Sequence, residues 1–297
     1  MRFPYLNAAV LSVLLTAGAA LAAQTPAPGS HPIQFGQSEI DCSSFLTATP
    51  PAGLARIAGN AEAMEMLDFS PGDRLQLSDV HGLQPGMELR VLRIDDHWGE
   101  FEQFDGQHQQ LKAMGHRVES VGRLRILSTR GTTALASVEA ACRPLHTGDF
   151  GVAWQARTPP AQVMAPAFDV ADIPDAASLS GSGVIAAARD SAYEVGTEDE
   201  IYLNRGTGQG AHPGQFWLIV RGPNSASQKW LKDVTRGLDV PEGYGKSTPM
   251  ATDEKGDGLA HVIGQAVVLW AEPSSSTAIV TAADTAIYPG DQVIPMP

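Results

Sequence analysis

Apolar and polar residues alternate in two short segments that lie far apart in the chain. Leu75 and Leu77 alternate with polar neighbours in the first segment, and Ile201 and Leu203 do so in the second. A period of two residues is typical of a β-strand with one buried face. A proline–glycine turn follows each segment, and the residues after the turn again favour extended structure. The pattern therefore predicts a pair of strands joined by a turn in each segment.

The two segments belong to a longer duplication. Residues 73–93 match residues 199–221 with two residues inserted in the second copy. Residues 122–149 match residues 264–291 without a gap, and eight of the 28 aligned positions are identical. A repeat of this length indicates one structural unit that is used twice. The later block adds two more strands to each copy and closes on Gly-Asp, which predicts a tight turn into a last short strand.

Many short strands with regular turn signals predict an all-β fold, in which each half is a small barrel or a sandwich. Composition sets the expected boundaries, because stretches rich in proline, glycine and serine rarely form packed units. The boundaries are residues 23–41 for a loose arm, 42–155 for the first unit, 156–180 for a proline-rich linker and 181–297 for the second unit.

The two copies differ in the connection between their repeated blocks. In the first copy Trp98, Phe101, Phe104, Leu111 and Met114 roughly follow helical spacing, which predicts one short amphipathic helix. In the second copy the connection is fourteen residues longer and is rich in Gly, Pro, Ser, Lys and Asp. Long irregular insertions in compact domains are often functional.

The variable connections, residues 94–120 and 222–262, are therefore the expected interaction surface. The candidate contacts are Trp98 in the first connection and Trp230 and Tyr244 in the second, because aromatic side chains combine a large contact area with a polar group. Packing against the barrel is the alternative for these aromatic residues. Trp217 and Trp270 lie in repeated strands and are expected in the core.

The N-terminus has the pattern of a secretory signal. Arg2 precedes an uncharged apolar run over residues 8–21, and Ala20-Leu21-Ala22 is a typical cleavage site. Residues 1–22 are therefore predicted to be a cleaved signal peptide, and the mature chain is expected to be exported. No later segment approaches the ~20 apolar residues of a membrane-spanning helix.

Charge and cysteine content add to this expectation. The formal net charge of −13 disfavours binding to nucleic acid or to anionic lipid. Cys42 and Cys142 are the two cysteines of an exported chain, which predicts one disulfide. A redox or metal pair is the alternative, but the chain has no CxxC motif. Closing the loop between these cysteines would constrain the unfolded chain by about 4–5 kcal/mol.

Catalytic and cofactor motifs are weak. The stretch GYGKST at residues 243–248 ends like a phosphate-binding loop, but Val240 occupies the position of its first glycine. The acidic stretch at residues 253–258 carries Lys255 where a calcium ligand belongs. Asp95-Asp96-His97 fits no zinc spacing, and neither an HExxH nor a GxSxG motif occurs. The expectation is a protein without enzymatic activity, metal or cofactor.

Several blocks resemble a family of exported bacterial proteins of unknown function that is frequent in Acidobacteria. The blocks are Cys42-Ser43-Ser44-Phe45, LKAMG at residues 111–115 followed by GRLR at 122–125, and the YLNRG and PGD segments of the repeats. The repeat is also similar to the small C-terminal β-barrel of flagellar assembly protein T. The resemblance implies tandem β-barrels and an envelope location, and some relatives carry a LysM peptidoglycan-binding module.

The expected function is a non-enzymatic structural or protein-interaction module of the cell envelope, periplasmic or associated with the outer membrane. The partner, an envelope protein or peptidoglycan, stays open. A glycan- or peptidoglycan-binding accessory protein is the alternative. No nucleic-acid partner and no transmembrane segment in the mature chain are expected.

Overall fold

The computed structural model describes residues 31–62, 66–95, 102–158, 160, 163–172, 174, 179–223, 225–227 and 259–296. Within these ranges the chain is mostly β-structure with few helices, and it forms two six-stranded β-barrels in tandem. The prediction of an all-β fold with two units is confirmed, and each unit is a barrel. Among these residues, no helix combines the length and the apolar character that crossing a membrane would require.

The first barrel is closed by six strands with one extra strand beside it. The elements up to the linker are β1 (His31–Ile33), α1 (Gln37–Cys42), β2 (Phe45–Thr47), β3 (Ala55–Asn60), β4 (Asp68–Phe69), β5 (Arg74–Ser78), β6 (Glu88–Asp95), α2 (Gln107–Met114), β7 (His116–Arg130), β8 (Thr133–Ala141), β9 (Leu145–His146), β10 (Phe150–Ala153) and β11 (Val163–Ala165). The ring order is β3-β5-β8-β7-β6-β10, and β4 pairs separately with β9. With fifteen residues, β7 is long enough to pair with β6 and β8 and also with β2 outside the ring.

The second barrel repeats this topology. Its strands are β12 (Gly183–Ala188), β13 (Glu200–Leu203), β14 (Phe216–Arg221), β15 (His261–Ala271), β16 (Ser276–Ala283) and β17 (Gln292–Pro295). Two short 3₁₀ turns lie at Arg189–Ser191 and Thr207–Gln209. The ring order β12-β13-β16-β15-β14-β17 is that of the first barrel, strand for strand. The predicted duplication therefore holds in three dimensions.

Strand register is also repeated. Leu77 pairs with Ala134 in the first barrel, and the aligned residues Leu203 and Ser276 pair in the second. The apolar residues of the alternating segments are all buried inside the barrels. Burial of one face fixes the register, since a slip of one residue would turn every apolar side chain outward.

The two proline–glycine turns form as predicted. Gly86 has φ 88° and Gly214 has φ 86°, a left-handed conformation that glycine adopts at little cost. The backbone N–H of Gly86 donates to the carbonyl of Ile126, and that of Gly214 donates to the carbonyl of Val268. Each turn is thereby tied to the same long strand of its barrel.

The predicted short helix in the first connection is α2. Its residues Leu111 and Met114 are buried, as the helical spacing indicated, and Phe104 is buried just before the helix begins. The helix ends at Gly115, where φ is 98°. Trp98 and Phe101 lie outside the described residues.

The predicted disulfide joins Cys42 and Cys142, whose Cα atoms are 5.5 Å apart. Cys42 is the last residue of α1, and Cys142 directly follows β8. The bond therefore holds the N-terminal segment against the first barrel, as expected.

The segments before and between the barrels differ from the expected loose arm and extended linker. His31 pairs with Ala165, so β1 and β11 form a two-stranded ribbon. Ala165 packs with Phe216 and Val267 of the second barrel, and Ile33 and Phe35 pack against the same cluster. Apolar burial therefore orders parts of two segments whose composition indicates little structure.

Candidate binding cleft at the barrel junction

The two barrels are packed against each other through a buried apolar cluster. Its members come from β2 and α2 of the first half and from β12 and β13 of the second: Leu46, Leu111, Met114, Ala186, Ala187 and Tyr202. Tyr202 is fully buried there although it points away from the interior of its own barrel, between Ile201 and Leu203. Because apolar area is removed from water on both sides, the junction holds the barrels together.

Hydrogen bonds join β2 to the second barrel. Thr277 donates from Oγ1 to the carbonyl of Ser44 at 2.8 Å, and Ser275 donates from Oγ to the carbonyl of Leu46 at 2.9 Å. The Ser44 N–H donates to Glu200 Oε1 at 3.2 Å. Backbone groups of Ser44 and Leu46 thus find side-chain partners, so this edge of β2 is not left unpaired.

Helix α2 contributes to the same junction. Gln107 donates from Nε2 to the carbonyl of Ala186 at 2.8 Å, and Asn204 donates from Nδ2 to Gln110 Oε1 at 3.2 Å. The described helix of the first connection therefore packs on the second barrel. Its buried face is not available to another protein.

Glu200 is a buried carboxyl group in this junction. Only 4% of the residue is exposed, and Tyr202 donates its hydroxyl to Oε1 at 2.8 Å. Burial raises the pKa of Glu200, although Arg189, 3.5 Å from Oε2, favours the charged form. The carboxyl group is therefore a titratable element of the contact between the barrels.

Beside this buried contact the junction opens into a cleft of about 430 Å³. Strands β2, β6 and β10 and the chain after β10 line it from the first half, and Trp270 and Glu272 line it from the second. Phe45 and Trp270 pack against each other in its wall, with ring centres 6.3 Å apart. The cleft combines aromatic surface with polar groups, as ligand sites commonly do.

Arg157 is a deeply buried charged group in the cleft wall. The residue is 8% exposed, and its Cζ lies 4.6 Å from the ring centre of Trp270 and 5.2 Å from that of Phe45. Its Nη1 donates to the carbonyls of Ile40 and Ser43 and to the Ser43 hydroxyl at 2.8–3.1 Å. Burial, reinforced by the charge of Arg90, lowers the pKa of Arg157 to about 10. The charge is therefore held where water reaches it poorly.

Arg90 lines the cleft next to Arg157. It pairs with Asp41 at 3.1 Å, donates to the carbonyl of Gln155 at 2.8 Å, and stacks on Trp154 with Cζ 4.4 Å from the ring centre. Asp41 thus balances the charge of Arg90, and these contacts fix the position of its side chain. Arg157, in contrast, pairs directly with no carboxylate among the described residues.

The contacts predicted from the sequence are not among the described residues. Trp98, Trp230 and Tyr244 fall outside the described residues, as does most of the second connection. Trp217 is 2% exposed and lies in the core as predicted, whereas Trp270 lines the cleft. Arg157 lies in the predicted linker and Arg90 in a predicted strand, and neither is among the contacts predicted from the sequence.

One sequence signal could have found the cleft. Trp270 aligns with Ser128 of the first copy, and Tyr202 aligns with Gln76. Large side chains at outward positions of only one copy mark a surface that only that copy buries. The described part of the chain shows no group of three His, Cys, Asp or Glu side chains that could hold a metal ion.

No protein-family model matches the chain, and no curated protein matches it.

Proposed function

We propose that this protein is a non-enzymatic interaction module of the bacterial cell envelope, which binds its partner in the cleft between the two barrels. The observation that carries the proposal is the enclosed Arg157 beside Trp270 and Phe45 in an open cleft. Arginine and aromatic residues are enriched at the centres of protein interfaces.

The packing of the junction supports this role. The cleft walls come from both barrels, and hydrogen bonds from Thr277 and Ser275 to β2 fix one wall relative to the other. A preformed cleft loses little conformational entropy when a partner binds. The signal-like N-terminus and the resemblance to exported envelope proteins support the proposed location.

A glycan-binding accessory protein is the second candidate, and peptidoglycan is its proposed ligand. Trp270 and Phe45 place aromatic surface in the cleft, while Gln155 and Glu272 supply polar groups beside it. An apolar surface with a few convergent polar groups can orient a sugar as well as a peptide.

Site-specific photo-crosslinking tests the primary proposal in the native host. A benzoylphenylalanine at Thr49, an exposed residue of the cleft wall, should give a discrete protein adduct. The same residue at Thr129 is the control, because this exposed position lies at the end of β7 away from β2. The Thr49 adduct should disappear in a Trp270→Ala background. Equal adducts at both positions, or an adduct that ignores Trp270→Ala, would contradict the cleft as the binding surface.

Co-sedimentation with purified peptidoglycan sacculi tests the second candidate. If the cleft binds glycan, the full exported chain should sediment with sacculi and the Trp270→Ala variant should stay in solution. Retention of both proteins, or of neither, argues against peptidoglycan as the ligand of the cleft.

A further inference from the structure

Arg157 differs from the other deeply buried arginines of the described chain in its partners. Among the described residues, no carboxylate lies within ion-pair distance of Arg157, and its three acceptors are two carbonyl groups and a hydroxyl. The other described arginines that are less than a tenth exposed all pair with carboxylates: Arg90 with Asp41, Arg117 with Asp95 and Glu119, and Arg221 with Asp291. A buried cation without a hydrogen-bonded carboxylate is costly, and the charges of Asp41, Glu200 and Glu272 act on Arg157 only from a distance.

The guanidinium group of Arg157 is only partly used by the protein. Among the described residues, the hydrogen bonds that its side chain donates all start from Nη1, which points toward α1 and the adjoining Ser43. Nε and Nη2 have no partner among the described residues, and neither belongs to the fully enclosed unpaired atoms of that part of the chain. These two nitrogens therefore keep some exposure to solvent, and the cleft is the space that Arg157 lines.

The orientation of the group is fixed before any ligand arrives. Trp270 and Phe45 hold the guanidinium plane by cation–π contacts at 4.6 and 5.2 Å, and Nη1 is anchored at three acceptors. Nε and Nη2 of an arginine form a rigid fork that matches the two oxygens of a carboxylate. Little side-chain entropy remains to be lost when such an anion binds.

We propose that the junction cleft binds a carboxylate group, which accepts two parallel hydrogen bonds from Nε and Nη2 of Arg157. This inference rests on the proposed binding role of the cleft and names the chemistry of its ligand. Trp270 and Phe45 flank the bound group and exclude water from the ion pair. The ligand is an acidic peptide or an acidic sugar, and both present the same carboxylate.

The charges around the cleft favour a monoanion over a phosphate. Glu272 lines the cleft, and Asp41 already neutralises Arg90. Asp41, Glu200 and Glu272 act on Arg157 only from beyond ion-pair distance, so a single carboxylate at Arg157 would supply the direct partner that it lacks. A dianionic phosphate would leave negative charge beside Glu272. The low pKa of Arg157, a result of its burial, agrees with a cation that lacks its partner.

NMR of the full exported chain labelled with ¹⁵N-arginine tests the proposal, because it observes the Arg157 Nε–H directly. The carboxylate probes are N-acetyl-alanyl-alanine and glucuronate, and their neutral controls are the peptide C-terminal amide and glucose. The carboxylates should shift the Arg157 resonance, whereas the neutral controls should not. Tighter binding of the peptide identifies a peptide source, and tighter binding of glucuronate identifies a sugar source. Inorganic phosphate binding as tightly as the better carboxylate would overturn the preference for a monoanion.

Arg157→Lys keeps the positive charge but loses the fork, so binding of the better carboxylate should weaken about 10–100-fold. The matched control is Arg125→Lys, an arginine of the first barrel that is 45% exposed and lies outside the cleft lining; it should bind like the parent protein. If Arg157→Lys fails to fold, the variant Glu272→Gln tests the proposal instead. Glu272→Gln removes a negative charge that repels the carboxylate ligand, so carboxylate binding should tighten several-fold at low salt. Unchanged affinity in Glu272→Gln, or in a folded Arg157→Lys, would refute the assignment.

The two proposals fail separately. A Thr49 adduct that depends on Trp270, without any carboxylate-induced shift of Arg157, rejects only the carboxylate chemistry. A carboxylate-induced shift without a Trp270-dependent adduct rejects the interaction module and keeps the anion site.

Discussion

Arg221 and Asp291 form a buried bidentate ion pair that fastens the last strand of the second barrel. Arg221 Nε donates to Asp291 Oδ1 at 3.0 Å, and Nη2 donates to Oδ2 at 2.5 Å. The same carboxylate accepts the backbone N–H of Tyr288 at 2.8 Å and the hydroxyl of Ser227. Asp291 is fully buried, and every one of these donors stabilises its negative charge.

The first barrel contains the equivalent pair. Arg93 donates from Nε and Nη2 to the two oxygens of Asp149 at 2.8 Å, and the backbone N–H of His146 donates to Oδ2 at 2.7 Å. Both aspartates are the closing residue of the Gly-Asp turn in their repeat. The repeated Gly-Asp therefore does more than turn the chain, because it also ties β10 to β6 and β17 to β14.

Asp291→Asn should lower the free energy of unfolding by about 3–5 kcal/mol, because it leaves the buried Arg221 without its counterion. Asp149→Asn should cost less, since the side chain of Arg93 is 23% exposed and that of Arg221 only 9%. Urea denaturation followed by circular dichroism measures both losses. The matched control is Glu139→Gln, whose side chain is 30% exposed and which should change stability little. A larger loss at Asp149 than at Asp291 would contradict the role of burial.

Gly122→Ala and Gly264→Ala should each destabilise their barrel by about 1–3 kcal/mol. A Cβ at Gly122 would lie 2.6 Å from the Ala140 carbonyl oxygen, and one at Gly264 would lie 2.7 Å from the Ala282 carbonyl oxygen. Both glycines open the second repeated block, so the same close approach recurs in each copy. Thermal unfolding compares them with Gly181→Ala, where a Cβ meets nothing within 4 Å. Equal melting temperatures in all three variants would show that the strands shift freely.

Replacing Cys42 and Cys142 by serine should cost about 2–5 kcal/mol of stability, because the unfolded chain loses its cross-link. The variant should keep its barrel signature in circular dichroism, since the bond lies outside both rings. Thiol labelling of the non-reduced, denatured parent protein provides the direct check. Labelling of both cysteines would disprove the bond.

Glu200 should make stability depend on pH in the mildly acidic range. Its folded pKa is raised above the ordinary 4.5 by burial, so its contribution is complete below 4.5 and is lost as pH rises through the folded value. The unfolded chain ionises freely, while the folded chain must charge a buried group near Arg189 and Arg157. Glu200→Gln should therefore become more stable relative to the parent protein as pH rises toward neutrality. Urea denaturation at several pH values tests this, and parallel profiles would rule it out.

The alternating segments show which part of strand burial the local sequence pattern predicts. Leu75 and Leu77 predict a half-buried strand, and β5 is one, with Gln76 on its exposed face. Ile201 and Leu203 carry the same pattern, but all four residues of β13 are buried. The inward face of each strand follows from the sequence because the barrel core demands a period of two. The outward face of β13 is covered because the first barrel packs on it.

The candidate site likewise depends on the packing of the two barrels against each other. Arg157 follows the first barrel in a proline-rich stretch that indicates little structure, and Trp270 lies in a strand whose repeat predicts core. Only the docking of the barrels brings Phe45, Arg157 and Trp270 together around one cleft. No sequence window contains both walls, so no local periodicity could have revealed their contact.

The sequence by itself determined the duplication, the strand-and-turn pattern, the short helix and the cysteine pair. Each of these follows from short-range chemistry: alternation of apolar residues, the backbone freedom of glycine after proline, helical spacing and the pairing of two thiols. Tertiary structure alone decided the strand order around each barrel, the ordering of β1 against β11, and the junction with its cleft. Those features arise from packing between residues distant in the chain, where burial of both partners is settled only once the whole chain has folded.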